Sequence, residues 1–188
     1  ISLSRRGSRV RIPSVPQIMV ETHPFVKFVP RNAKYLLIGS FAGKDTTNPE
    51  YWFYVTKVNQ FWPILEQVYN TDLRTREQKK SLFEKLGLAI TDMIYQCERR
   101  KVSNLDNNLI NIVYNTKAIE EILAKHNIKI IYFSSRFAEK LFNKIFGQTI
   151  DIKQVVLPSP SPRYAAMSKA QKIARYKEVL PVLHLGIE

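Results

Sequence analysis

Short apolar runs and amphipathic stripes alternate along the chain. Tyr35-Leu36-Leu37-Ile38 is an apolar run closed by a glycine, and it reads as a strand buried on both faces, roughly Tyr35 to Ser40. Gln60 to Tyr69 places Phe61, Trp62, Leu65, Val68 and Tyr69 on one helical face, with Pro63 tolerable in the first turn. Thr75-x-x-Gln78 has the spacing of a capping box and opens a second helix that reaches Lys85, with Leu82, Phe83 and Leu86 inward and Gly87 as its stop. Leu88 to Asp92 reads as the second strand, and residues 93–109 read as polar and irregular. Ala118, Ile119, Ile122 and Leu123 mark a helix, and Ile128 to Phe133 a third strand. Ser134-Ser135-Arg136 opens a helix with Phe137, Leu141, Ile145 and Phe146 inward, and Gln154 to Leu157 is the fourth strand. A second capping box, Ser168-x-x-Gln171, starts the last helix, with Ile173, Tyr176 and Leu180 inward and Lys169, Lys172 and Arg175 outward. Strand and helix in alternation predict an α/β fold, a three-layer α/β/α sandwich around a central four-stranded, mostly parallel sheet.

Composition adds a charge bias to this picture. The 188 residues carry 29 Lys and Arg against 16 Asp and Glu, a net charge of +13. A balance this basic favours a polyanionic partner, nucleic acid before membrane. No apolar run approaches the roughly 20 residues of a membrane span. The single cysteine, Cys97, rules out a disulfide framework and any site that needs several cysteines from this chain, and it suits a reducing compartment. His23, His126 and His184 lack ligand spacing and read as surface or loop residues, so no metal is expected. Residues 1–18 hold Arg5, Arg6, Arg9 and Arg11 and no acid, with no apolar core of the kind a signal peptide needs. They read as a non-native or disordered basic extension, of a kind that resembles translation through a neighbouring transfer-RNA gene. Met19 is then the expected start, and residues 19–188 form one domain. Without those four arginines the net charge falls from +13 to +9, so the bias stands.

In open α/β sheets, ligands gather beyond the carboxyl ends of the strands. Here those ends carry Gly39-Ser40, Thr91-Asp92, Ser134-Ser135, and Ser159 with Ser161. After the first strand, Gly39-Ser40-Phe41-Ala42-Gly43 lets the backbone turn and approach a ligand closely. Four consecutive aromatics follow, Tyr51 to Tyr54, and then Asn59 directly before a helix. A P-loop, a GxGxxG fingerprint, a GxSxG elbow and zinc-deaminase ligands are all missing from the sequence.

Four blocks in order, GSFAG at 39–43, NQFW at 59–62, the stretch Asp92 to Asp106 with its Cys-Glu-Arg, and LPSPSPRYAA at 157–166, resemble the uracil-DNA glycosylase superfamily. They are most similar to the branch that includes hypoxanthine-DNA glycosylases, and the resemblance spans about residues 35 to 180. It implies a four-stranded parallel sheet between helices and an enzyme of base excision repair. A deaminated base, uracil or hypoxanthine, would be flipped from DNA into a pocket at the strand ends. Water would then displace it from the sugar, with no cofactor. Phe41 stands where many relatives carry a polar residue that handles the water, and Leu157 where others carry histidine. The hypoxanthine branch resembles this chain at both positions and uses an asparagine at the place of Asn59.

The resemblance therefore assigns Asn59 to catalysis, by positioning water or polarising the base, against the plainer role of an N-cap. The base pocket is expected from Gly39, Ser40, Phe41, Ala42, Gly43, Tyr54 and Asp92, although Asp92 equally suits a strand-end carboxylate that ties a loop. Ser159, Ser161, Arg163 and Tyr164, stiffened by Pro158, Pro160 and Pro162, are the expected DNA-side loop, with Lys169 beside it. Arg163 or Tyr164 would fill the gap left by the flipped base, and an Arg–Glu pair within Cys97-Glu98-Arg99 would pin its loop. The expected partner is DNA containing a damaged base, and the expected protein a cytoplasmic monomer. An inactive DNA-binding module on the same fold, and an enzyme acting on a small nucleotide, are the rival readings.

Overall fold

Burial on both faces explains why the central strands are so uniformly apolar. The computed structural model describes residues 20–41, 48, 50–100, 106–147 and 151–183. The basic segment 1–18, and the expected pocket residues Ala42 and Gly43, lie outside the described residues. In chain order the strands are β1 (Val20–Thr22), β2 (Lys27–Phe28), β3 (Tyr35–Gly39), β4 (Leu88–Asp92), β5 (Ile94–Arg99), β6 (Leu109–Tyr114), β7 (Ile130–Phe133) and β8 (Lys153–Val156). The helices are α1 (Phe61–Tyr69), α2 (Arg76–Leu86), α3 (Thr116–Lys125), α4 (Arg136–Phe146) and α5 (Lys169–Val179).

The main sheet has the order β2-β4-β3-β7-β8. Its last four members run parallel, and β2 is added antiparallel at one edge. The expected four-stranded parallel sheet is thus present with a fifth strand beside it. Leu37, Leu88, Ile90 and Tyr132 turn to one side, packed under α1, α2 and α5 through Phe61, Ile64, Leu65, Phe83 and Tyr176. Leu36, Ile38, Ala89, Ile131 and Phe133 turn to the other, under α3 and α4 through Ile119, Ile122, Ala138 and Phe142. No helix among the described residues is long and apolar enough to cross a membrane.

The helix boundaries follow local chemistry. Thr75 Oγ1 accepts from the Gln78 N–H at 3.2 Å while Gln78 Oε1 accepts from the Thr75 N–H at 2.9 Å. Ser168 and Gln171 repeat the motif at α5. Gly87 ends α2 in the left-handed region at φ +60°.

One expectation fails. Over residues 93–100 and 106–109 the chain is not irregular: β5 leaves β4 after a single residue and pairs antiparallel with β6, and β1 covers its other edge. Two register shifts interrupt the β5–β6 ladder, and Asn111 stands at φ +48° beside one of them. Bulges of this kind break the alternation that would otherwise announce a strand.

Candidate active site

Because four strands are parallel, their carboxyl ends converge on one edge. The register there places Gly39, the last residue of β3, opposite Asp92, the last of β4. A β-carbon on Gly39 would lie 2.1 Å from Asp92 Oδ1 and 3.0 Å from the Tyr54 hydroxyl. Glycine is therefore required by space. Asp92 is buried, and its Oδ2 accepts from His23 Nε2 at 2.8 Å. His23 Nδ1 in turn accepts from the Phe25 N–H at 3.1 Å. One ring nitrogen accepting and the other donating defines a neutral imidazole with its proton on Nε2. His23 lies in the loop between β1 and β2, as one of the two expectations had it, but it is not a surface residue: it is 3% exposed. It packs against the rings of Phe41 and Phe53 at 5.7 and 5.4 Å.

Tyr54 arrives from the aromatic run. Phe53 and Tyr54 stand at φ +30° and +48°, a left-handed pair that side chains rarely adopt. Trp62 Nε1 donates to the Phe53 carbonyl at 3.0 Å, and the Tyr54 ring stacks on Phe61 at 4.0 Å. Burial, and then the Asp92 charge, push the Tyr54 hydroxyl well above the ordinary phenol range. The Ser134 hydroxyl opposes that shift from nearby, but without hydrogen-bond geometry to Tyr54. The phenol keeps its proton at any physiological pH.

Ser40 Oγ donates to Asp106 Oδ1 at 3.0 Å. Burial pulls the Asp106 carboxyl above the usual carboxylate range; the Ser40 bond and the Arg99 charge oppose this, while Asp92 adds to it. The Arg99 guanidinium lies 5.5 Å from the Phe41 ring centroid and grips Glu21 through Nε at 3.0 and 2.8 Å. The Arg–Glu pair read at Cys97-Glu98-Arg99 therefore exists with a different acid. Residues 98 and 99 point to opposite faces of β5, and Glu98 accepts instead from Asn111 Nδ2 at 2.7 Å.

Asn59 stands one residue before the N-cap of α1, Gln60, and its Oδ1 accepts from the Phe61 N–H at 2.8 Å, a turn that fixes the helix entry. Its Nδ2 donates to no described residue. The next residue ties this corner to the proline–serine loop, for the Gln60 N–H donates to the Pro160 carbonyl at 2.9 Å. Within the loop, Ser159 Oγ accepts from the Ser161 N–H and Ser161 Oγ from the Arg163 N–H, both at 3.3 Å. Each serine thus keeps its own O–H for an outside acceptor. Arg163, Tyr164 and Lys169 are exposed, while Leu157 is buried in the core below them.

Lys172, expected to face outward, is buried at 1% exposure. Its Nζ donates to the Ser161 carbonyl at 3.0 Å and to Gln60 Oε1 at 3.2 Å, and lies 5.4 Å from the Tyr164 ring centroid. Burial lowers its pKa. The ammonium joins loop, α1 and α5 at one point. Lys172→Met keeps the length but strands two acceptors. It is expected to lower stability by about 1–3 kcal/mol, read by thermal unfolding, and to make the 158–164 loop more susceptible to limited proteolysis. Unchanged melting and cleavage would show that the loop holds without it.

His23, Asp106, Glu21 and Lys172 are the site residues that the sequence did not single out. For Lys172 a signal existed, since it precedes Tyr176 by four positions on the inner stripe. Among the described residues, no group of three or more His, Cys, Asp or Glu side chains is arranged to hold a metal.

Comparison with known proteins bears on the family and the fold. The chain matches the uracil DNA glycosylase superfamily over residues 26–184. It belongs to that superfamily. Its fold is similar to the solution NMR structure of a candidate uracil DNA glycosylase from Methanosarcina acetivorans, with a TM-score of 0.60 at 17% identity, covering 85% of this chain and 98% of that one. No curated protein matches the chain in sequence.

Proposed function

We propose that the protein is a monofunctional DNA glycosylase of base excision repair, hydrolysing the N-glycosidic bond of uracil or hypoxanthine flipped out of DNA. The observation that carries this reading is the meeting of the superfamily's blocks at one sheet edge. The Gly39 turn lies against Asp92, Tyr54 lies against both, and the Asn59 helix start is hydrogen-bonded into the proline–serine loop. As the bond breaks, positive charge builds on the sugar and negative charge on the leaving base. Fixed dipoles stabilise that separation better than reorganising water does. The Asn59 amide, held through its Oδ1, presents its Nδ2 for this role or for the attacking water. Stacking on an aromatic offsets part of the flipping cost, which is a few kcal/mol. Ser159, Ser161, Arg163 and Lys169 suit the flanking phosphates. No cofactor enters the reaction, and damaged DNA is the partner.

A DNA-binding module without hydrolysis is the second reading. It is favoured by Phe41 and Leu157, which put carbon where many relatives put polar atoms. Duplexes with a single uracil or hypoxanthine, incubated with the protein and then treated with alkali, separate the two. Strand breaks at the lesion support the enzyme. Binding at low salt without breaks on any lesion supports the module.

A further inference from the structure

The positive charge of the chain is unevenly placed. Residues 20–128 carry fifteen Lys and Arg against twelve Asp and Glu, a net +3, whereas residues 129–183 carry ten against three, a net +7. The second stretch makes β7, α4, β8 and α5, so the excess lies at the β8 edge of the sheet. Of its three acids, Glu139 and Glu178 are bonded to Arg136 and Arg175 at 2.9 and 2.7 Å, which leaves Asp151. Arg163 and Lys169 put part of this excess on the proline–serine loop and the start of α5. A further share lies in the opposite helical layer, on α4.

On α4 the cations form a row. Ala138 and Phe142 are buried, with Phe137, Leu141 and Ile145 packed beside them, so the helix turns Arg136, Lys140 and Lys144 to solvent. These three stand four residues apart on one face, over about 12 Å of helix axis at 1.5 Å per residue. Lys140 and Lys144 make no ion pair with any described acid. Like charges at this spacing destabilise a helix, so the row opposes the folding of α4 and answers no acid of the protein. Other helices are built differently: α2 intersperses its cations with Glu77 and Glu84, and α3 with Glu120 and Glu121. The helix starts just past the carboxyl end of β7, after Ser134-Ser135, and returns toward the amino end of β8. Arg136 thus stands at the edge that holds the candidate site, and Lys144 lies down the flank of the domain.

We propose that the outer face of α4 is a second phosphate-binding surface, on which Arg136, Lys140 and Lys144 hold the duplex to one side of the lesion as it bends past the β8 edge. This rests on the glycosylase reading above and adds a surface outside the strand-end site. One DNA strand offers a phosphate every 3.4 Å of axis, so the length of the row spans about three or four of them. The row runs along the strand direction, whereas the candidate site lies across the strand ends, so a duplex that serves both is bent. Bending costs deformation energy, which the added phosphate contacts repay. Such contacts carry no sequence information, so the surface strengthens binding to any flank, on one side of the lesion only. An anionic membrane is the poorer partner, because the fully exposed positions of α4 are these three cations, with no large apolar side chain to enter a bilayer.

The test uses the full chain and two duplexes of about 20 base pairs, roughly 70 Å at 3.4 Å per pair. Each carries a single uracil or hypoxanthine near one end, so that the long flank runs to opposite sides of the lesion. Binding is measured over a series of salt concentrations. Each neutralised phosphate contributes about −0.9 to the slope of log K against log salt, so Lys140→Gln/Lys144→Gln should flatten the slope by about 2 on one duplex and by less than about 0.5 on the other. Lys140→Arg/Lys144→Arg keeps the charge and should bind as wild type does. Lys80→Gln/Lys85→Gln on α2 removes the same charge and should flatten the slope by less than about 0.5 on either duplex. Equal flattening on both duplexes, equal flattening by the α2 pair, or no flattening would overturn the inference alone. So would loss of binding to phosphatidylserine vesicles by the α4 glutamine pair with duplex binding intact, which assigns the row to a membrane. Base release from the same duplexes by wild type tests the glycosylase reading separately, and no binding of wild type to either duplex at low salt would overturn both. If the glutamine pair does not fold, energy transfer between dyes at the duplex ends decides on wild-type protein: a straight duplex in the complex would overturn the inference.

Discussion

Gly39→Ala should abolish base release and lower the melting temperature, although it adds a single methyl group. The added carbon would sit 2.1 Å from Asp92 Oδ1, well inside contact distance, so something must move. The obstructing oxygen is not the free end of a flexible chain. Its partner oxygen is held by His23 at 2.8 Å, and Asp92 itself ends a central strand in register with Gly39. The carboxylate must then leave His23, or β3 and β4 must part at their carboxyl ends. Overpacking of this kind costs about 1–3 kcal/mol, which for a chain of this length lowers the melting point by about 2–4 °C per kcal/mol. Activity should fall further than stability, because displacing a binding group by about 1 Å can cost roughly 100-fold in rate. A double-mutant cycle isolates the cause. Asp92→Ala removes the obstructing oxygen, so the stability losses of Gly39→Ala and Asp92→Ala should combine to less than their sum by at least about 0.5 kcal/mol. Strict additivity would show that the clash is relieved elsewhere.

What could be read from the sequence, and what could not, has a physical pattern. Strands β3, β4 and β7 are covered on both faces, so they appear as unbroken apolar runs with sharp ends. The α2 and α5 capping boxes are local, with all their atoms inside four residues. Strands β5 and β6 have one face in water, place Gln96, Glu98 and Asn111 there, and shift register twice, so no clean period survives. The same division runs through the site. Gly39, Ser40 and Asp92 belong to motifs and gather as the strand ends require, and Tyr54 reaches them from the conspicuous aromatic run. His23 meets Asp92 from 69 residues away, and nothing in Thr22-His23-Pro24 announces that partner. Lys172 lies on the inner stripe four residues before Tyr176, but its charge ordinarily means solvent, and only its acceptors at Gln60 and in the loop explain how that charge is buried. Long-range pairing of polar groups leaves no local trace, because each partner alone is an ordinary loop or surface residue.

Asn59→Ala is expected to reduce base release by roughly 100- to 1,000-fold, the range found when one preorganised donor is removed from a charge-stabilising site. The difficulty is that this side chain already has a structural duty. Its Oδ1 accepts from the Phe61 N–H at 2.8 Å, and losing such a bond costs about 1 kcal/mol by itself. A fall in activity after truncation could then come from a loosened α1 start, which also bears the Gln60 contacts to Pro160 and Lys172. Asn59→Asp separates the two effects. Aspartate retains an oxygen for the Phe61 N–H, and its charge suits a helix amino terminus, so stability should stay within about 0.5 kcal/mol of wild type. It lacks the Nδ2 donor. If the amide acts on the base or the water, Asn59→Asp should lose as much rate as Asn59→Ala while melting like wild type. If Asn59→Asp releases uracil and hypoxanthine at the wild-type rate, Asn59 fixes the helix entry and nothing more, and the catalytic group must be sought among Asp92, Asp106 and the backbone of the strand-end turn.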